Sequence, residues 1–160
     1  MKFKELVCII TGGSGGLENA TAIRLLELGS KVMIFDLQQP KYELDYGSRL
    51  SFQKVDITNE TQVKNAVEKT VEIYGKVNVL INCAGIGYIE PTITNNGTHD
   101  YKKFMNVLNI NLVGTFLCCK YAAFYIKDSP LGEDNERGVI INVASIAAME
   151  GTQGQIAYSA

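Results

Sequence analysis

Ser145 and Tyr158 stand thirteen positions apart in the stretch Gly138-Val-Ile-Ile-Asn-Val-Ala-Ser-Ile-Ala-Ala-Met-Glu-Gly-Thr-Gln-Gly-Gln-Ile-Ala-Tyr. A serine hydroxyl at the end of an apolar strand and a tyrosine on the following helix can converge on one oxygen. They can hold it and pass a proton, which is what reducing a ketone or oxidising an alcohol requires. A phenol alone is a poor base, because its reference pKa of roughly 10 calls for a neighbouring positive charge before it works near pH 7. No lysine or arginine follows Tyr158 in the 160 residues. The pair names a chemistry and leaves open whether this chain performs it.

The elements that must position this pair belong to one domain, residues 1–160. The chain is 46% hydrophobic and 20% charged, the composition of a globular domain with a real core. A net charge of -2 with no run of like charges gives no electrostatic footprint for nucleic acid or an anionic membrane surface. Cys8, Cys83, Cys118 and Cys119 lie in apolar surroundings without CxxC spacing, which points to a reducing compartment. Met1-Lys-Phe-Lys-Glu-Leu6 runs straight into a strand-like segment, so neither a secretory signal nor a membrane span is expected. The single histidine, His99, reads as a solvated loop residue at a helix start, and no metal site is expected.

Leu6–Thr11, Lys31–Phe35, Leu50–Val55, Val77–Cys83 and Val139–Val143 are short apolar runs of strand character. Between them, Leu17–Leu28 carries helical spacing and Gly29 is placed to end it. Asn59 is a cap for a helix reaching Tyr74, with Val63, Ala66, Val67, Val71 and Tyr74 on its apolar face. A long helix is expected from about Asp100 to Ile126, after a polar stretch from Gly85 to Thr98. Strand and helix alternation with nearly continuous apolar strands predicts an α/β fold. Its parallel sheet is doubly wound and Rossmann-type, with strand order 3-2-1-4-5.

Thr11-Gly-Gly-Ser-Gly-Gly-Leu-Glu18 lies between the first strand and the first helix. Glycines there let backbone N–H groups approach a pyrophosphate at a helix N-terminus. A glycine cluster alone is a weak signal. Asp36 strengthens it, falling at the end of the second strand, about 20 residues on, where a carboxylate can accept both adenosine ribose hydroxyls. Its charge would repel a 2'-phosphate, which favours NAD over NADP. Asp56-Ile57 and Asn82-Cys-Ala-Gly85 complete a ring of strand C-termini around one crevice.

With these motifs in order from Leu6 to Ala160, the chain resembles the classical short-chain dehydrogenase/reductase family. The resemblance implies an NAD site lined by Gly12, Gly15, Gly16 and Leu17 on the pyrophosphate and nicotinamide side. Asp36 would hold the adenosine ribose, Asp56 and Ile57 the adenine, and Cys83, Ala84 and Gly85 the inner ribose. Ser145 and Tyr158 would be catalytic, and Asn111 would anchor a water leading to an active-site lysine; its alternative is a helix-kink or packing asparagine. The lysine is implied one helical turn beyond the tyrosine, past Ala160. Asn82-Cys-Ala-Gly-Ile86, Asn111-Leu-Val-Gly-Thr-Phe116, the stretch from Arg137 to Tyr158, and Glu150-Gly151 before Gly154-Gln155 look most like the family's 3-hydroxyacyl-CoA and hydroxysteroid branch. Its members imply a small-molecule substrate of acyl-CoA or steroid type, a homo-oligomer for a full-length chain, and mitochondria, with cytoplasm as the alternative. About the last third of a family member is not in these residues. The face around Cys118, Cys119 and Ala122 and the flank of the fifth strand are therefore expected to be exposed.

Glu18 departs from the family's T-G-x-x-x-G-x-G fingerprint, standing where the last glycine falls. A carboxylate near a pyrophosphate adds repulsion, about 1 kcal/mol per charge pair at 4 Å in water and about 4 at an effective dielectric of 20. Alternatively the side chain turns to solvent and favours the helix dipole. Two functional readings stay open: an NAD-dependent oxidoreductase acting on a hydroxyl or ketone, and a noncatalytic family member that binds a nucleotide or a partner.

Overall fold

The computed structural model describes residues 1–12, 16–40, 45–95, 97–133 and 135–160. Apolar β-branched runs make the strands: β1 (Val7–Thr11), β2 (Lys31–Asp36), β3 (Leu50–Lys54), β4 (Val79–Asn82) and, late in the chain, β7 (Val139–Asn142). All pair in parallel in the order β3-β2-β1-β4-β7, the predicted 3-2-1-4-5 arrangement. The register runs Thr11 beside Phe35 and Asn82, and Asn82 beside Asn142, so the strand C-termini end along one edge.

Successive side chains on a strand face opposite ways, and here both ways lead into a core. Val7, Ile9, Met33, Phe35 and Leu80 pack with α2 (Glu60–Tyr74) through Val63, Ala66 and Val67. Cys8, Ile10, Val32, Ile34, Val79 and Ile81 face the other way, where α1 (Gly16–Glu27) contributes Ala22 and Leu26. Burying each such Ile, Leu or Phe contributes about 1.5–3 kcal/mol. The predicted cap holds, since the Asn59 side chain accepts from the Gln62 N–H at 3.1 Å. The fourth strand is shorter than its apolar run. Asn78 turns its side chain back to accept from the Val7 N–H at 2.8 Å.

The polar stretch after β4 contains a small antiparallel hairpin, β5 (Ile93–Thr94) with β6 (Gly97–Thr98), which the sequence pattern did not reveal. The long helix is three consecutive pieces. α3 (Tyr101–Leu108) is capped by Asp100, a π-helical turn spans Asn109–Gly114, and α4 (Thr115–Ile126) follows. By length and composition the 101–126 helix is apolar enough to cross a bilayer, with mean hydropathy 1.4. In this fold Val107, Leu117, Cys118 and Ala122 are buried, while Leu112, Val113, Phe116 and Phe124 are exposed.

That burial corrects one expectation. Cys118 and Ala122 are fully buried and Cys119 half-buried rather than exposed, because α4 is rolled so that this face meets α2 and the sheet. The expectation for β7 holds, with Val139, Ile141 and Val143 on the surface. Two short helices close the chain, α5 (Ala147–Glu150) and α6 (Ile156–Ser159).

His99 is a second correction. Its side chain is only 9% exposed, with Nδ1 at 2.9 Å from the Glu90 carbonyl and 3.5 Å from its carboxylate. A sequence window of Thr98-His99-Asp100 looks solvated, but Glu90 folds back over it from nine residues away. Among the described residues no three potential ligands gather to form a metal site.

Candidate active site

Thr11, the last residue of β1, sends its hydroxyl across to β4. The oxygen accepts from the Cys83 and Ala84 N–H groups, both at 3.2 Å. This fixes the turn after β4 against the turn after β1. Gly12 follows at φ +75°, and a Cβ on it would stand 2.8 Å from the Ala84 Cα. Both the backbone angle and the approach require glycine. Gly15 lies outside the described residues. At Gly16 the helix begins, and among the described residues a Cβ there would meet nothing within 4 Å. Leu17 is 76% exposed beside it.

The other strand ends complete the crevice. Asp36 closes β2, and its Oδ1 accepts from the Gln38 N–H at 2.9 Å. After β3, the Asp56 carboxylate accepts from the Thr58 N–H at 2.9 Å and hydroxyl at 2.7 Å. Ile57 points away from this rim into the core, where Gly114 admits it; a Cβ on Gly114 would lie 2.6 Å from the Ile57 Cδ1. The side of 56–57 turned to the crevice is therefore Asp56 and backbone. After β4, Asn82 donates to the Asn142 side chain at 2.9 Å and to the Cys119 sulfur at 3.3 Å, binding β4 to β7 beneath the rim.

Asn111 sits within the π-helical turn and grips the backbone of Ile86. Its Nδ2 donates to the Ile86 carbonyl and its Oδ1 accepts from the Ile86 N–H, both at 2.9 Å. Gly85 lies directly under this clasp, a Cβ there standing 3.4 Å from the Asn111 Oδ1. One residue further, Gly87 carries the ring of Tyr158. Asn111 and Tyr158, remote in sequence, thus meet on the same short segment after β4. Ser145 begins the turn into α5, its Oγ accepting from the Ala147 N–H at 3.2 Å, and α5 packs on α6, the helix of Tyr158. Glu90 N–H donates to the Gly154 carbonyl at 2.7 Å and ties the segment after β4 to the approach of α6.

The thiols are not built for reaction. Burial pushes Cys8 and Cys118 up to about 12, and Cys83 rises to about 11, from burial first and the Glu18 charge second. All four cysteines are free. A thiol held this high carries almost no thiolate near neutrality.

Sequence reasoning missed Thr11, Gly87 and the Asn82–Asn142 bridge. Thr11 had a signal in its place, a hydroxyl at the strand end just before the glycines. Gly87 had none, because only the fold sets a ring upon it.

A family model of the short chain dehydrogenases matches residues 6–160. The chain belongs to that family. It is 39% identical over 162 residues to 3-hydroxyacyl-CoA dehydrogenase type-2 of Bos taurus, covering 98% of this chain and 62% of that protein. The structure of 3-hydroxyacyl-CoA dehydrogenase type-2 from Mycobacterium avium superimposes with a TM-score of 0.87 at 29% identity, over 99% of this chain and 64% of that one. Two further similar structures were solved with cofactor. ElxO with NADP bound has TM-score 0.79 at 29% identity over 99% and 62% of the two chains. An enzyme from Leptospira borgpetersenii with bound NAD+ has TM-score 0.79 at 26% identity over 96% and 59%. This short-chain dehydrogenase sequence therefore spans less than two thirds of the length of the relatives it matches.

Proposed function

We propose that residues 1–160 form the NAD-binding domain of an oxidoreductase that moves hydride between a nicotinamide and a secondary alcohol or ketone, of 3-hydroxyacyl-CoA or hydroxysteroid type. The observation that carries this reading is the placing of Tyr158 against Gly87, next to the Ile86 backbone that Asn111 holds. That contact supports a phenol acting beside the segment after β4.

The crevice fits such a cofactor on most of its rim. The close glycine turn at Gly12 and the carboxylate of Asp36 suit a dinucleotide bound across the strand ends. Gly12, Gly15, Gly16 and Leu17 would line the diphosphate and nicotinamide side, and Asp36 the adenosine ribose. Asp56 with the backbone of Ile57 would border the adenine, and Cys83, Ala84 and Gly85 the inner ribose. The nicotinamide supplies the hydride when bound. Tyr158 would exchange a proton with the substrate oxygen. Ser145 already accepts a hydrogen bond from Ala147, so its own O–H is the part left to donate to that oxygen. Asn111 would act by holding the segment on which Tyr158 rests. Asp36 favours NAD, because a 2'-phosphate would meet a like charge.

Calorimetric titration of NAD+, NADH and NADP+ into the purified chain, with turnover of acetoacetyl-CoA on the same preparation, tests this. Binding of NAD+ tighter than NADP+ together with turnover supports the proposal. Glu18 favours a second reading, a noncatalytic family member that binds a nucleotide or a partner; binding without turnover supports that one. No binding by folded protein would sink the first reading and leave only the partner-binding form of the second.

A further inference from the structure

Residues 86–90, the segment on which Tyr158 rests, are held at both ends. Asn111 grips Ile86 at one end. At the other, the His99 side chain is nine-tenths buried, and its Nδ1 lies 2.9 Å from the Glu90 carbonyl oxygen. A carbonyl only accepts, so Nδ1 carries the ring hydrogen and donates it. Nε2 is buried and, among the described residues, has no hydrogen-bond partner. The ring therefore acts through one nitrogen. Its frame is fixed as well, since the His99 N–H donates to the Thr92 carbonyl at 3.0 Å and the ring meets Phe104 edge-on, with centroids 6.3 Å apart. The Glu90 carboxylate closes over the same place, accepting from the Asp100 N–H and from Lys103, both at 3.2 Å.

Glu90 passes this hold on, because its N–H donates to the Gly154 carbonyl at 2.7 Å. Gly154 stands at φ +77°, and a Cβ on it would lie 3.4 Å from the Ile89 Cγ2. Two residues later α6 begins, which packs on α3 and sets Tyr158 against Gly87. Two bonds in series, His99 to Glu90 and Glu90 to Gly154, thus join the start of α3 to the approach of α6. We propose that His99 is a positioning residue for Tyr158: its Nδ1–H fixes the Glu90 end of segment 86–90, as Asn111 fixes the Ile86 end, and through Glu90 it sets where α6 presents the phenol. The consequence for turnover rests on the oxidoreductase reading above; the hold on α6 does not. A proton-transferring group tolerates little displacement, so loss of this anchor lowers the rate of the chemical step and leaves binding at the strand ends in place.

The test compares the full chain as wild type, His99→Asn, His99→Gln and His99→Leu, each shown to melt cooperatively. Asparagine can place an N–H where Nδ1 stands, glutamine places one nearer Nε2, and leucine has none. Three quantities are measured: hydrogen exchange at the Glu90 amide, the ring resonances of Tyr158 in tyrosine-labelled protein, assigned by their loss in Tyr158→Phe, and kcat and KM with acetoacetyl-CoA. In His99→Gln and His99→Leu the Glu90 amide should exchange about tenfold faster, as for the loss of one hydrogen bond. The Tyr158 resonances should move toward those of an exposed tyrosine, and kcat should fall about tenfold or more with KM little changed. His99→Asn should restore all three toward the wild type. Glutamine matching asparagine overturns the role of Nδ1. Faster exchange at Glu90 with unmoved Tyr158 resonances, or moved resonances with undiminished kcat, overturns His99 as a positioning residue. If the resonances move as stated while the wild type itself turns nothing over, the oxidoreductase reading falls and the hold of His99 on Tyr158 stands.

Discussion

The ring of Tyr158 rests on Gly87: a Cβ built on that glycine would lie 3.3 Å from the tyrosine Cδ2 and 3.5 Å from its Cγ. The contact is tight enough that an added methyl must displace the ring by a few tenths of an ångström. Gly87→Ala is expected to lower turnover by about ten- to a hundredfold, since small misplacements of a reacting group cost that much. NAD+ affinity should stay near the wild-type value. A variant with unchanged turnover would remove Gly87 as the seat of the ring.

Tyr158→Phe keeps the ring on Gly87 and removes only the hydroxyl. Turnover should fall by about 10²–10⁴-fold, the usual worth of a positioned general acid or base. The melting transition should not move. If Tyr158→Phe turns over normally, the proton passes elsewhere and the proposed mechanism is wrong.

Asn111 satisfies both backbone groups of Ile86, so Asn111→Leu leaves an N–H and a C=O without partners at a half-buried position. The expected destabilisation is about 1–3 kcal/mol for each group that water does not reach. Urea unfolding measures it. A change within a few tenths of a kcal/mol would mean that water replaces the clasp.

Gly114 lets the long helix cross Ile57, whose Cδ1 would be 2.6 Å from an added Cβ. Gly114→Ala should cost about 1–3 kcal/mol through overpacking. Ile57→Ala in the same chain removes both carbons that clash, Cδ1 and Cγ1, and the pair should show favourable coupling of about 0.5–3 kcal/mol in a double-mutant cycle. Strict additivity would falsify the contact.

Glu90 holds the start of α3 to the segment after β4. Its carboxyl lies below the ordinary value of 4.5, first because it accepts from the Asp100 N–H, then through Lys103 and His99. A carboxyl lowered in the folded state stabilises above its unfolded pKa, and that stability is lost as pH falls through the folded pKa. Glu90→Gln should therefore melt below the wild type at neutral pH, with the difference shrinking as the pH drops below about 4.5. Thermal melts across that range decide it. A difference independent of pH would assign Glu90 a role other than its charge.

Much of this protein could be read along the chain, because the relevant signals are local. Uninterrupted apolar runs such as Val7–Thr11 and Lys31–Asp36 mark strands buried on both faces, and alternation with helices dictates a parallel sheet. Short-range order also placed Gly12, Asp36, Asp56 and Asn82 at the strand ends, where the sheet's own geometry brings them together. Residues joined by contacts across long sequence separations were beyond that reach. Whether α4 turned Cys118 inward depended on α2, fifty residues earlier. Burial of His99 depended on Glu90 folding back. The seat of Tyr158 was decided by a glycine seventy residues upstream. Spacing selects elements because a helix or strand repeats within itself; packing selects neighbours, and only the folded chain says which surfaces meet.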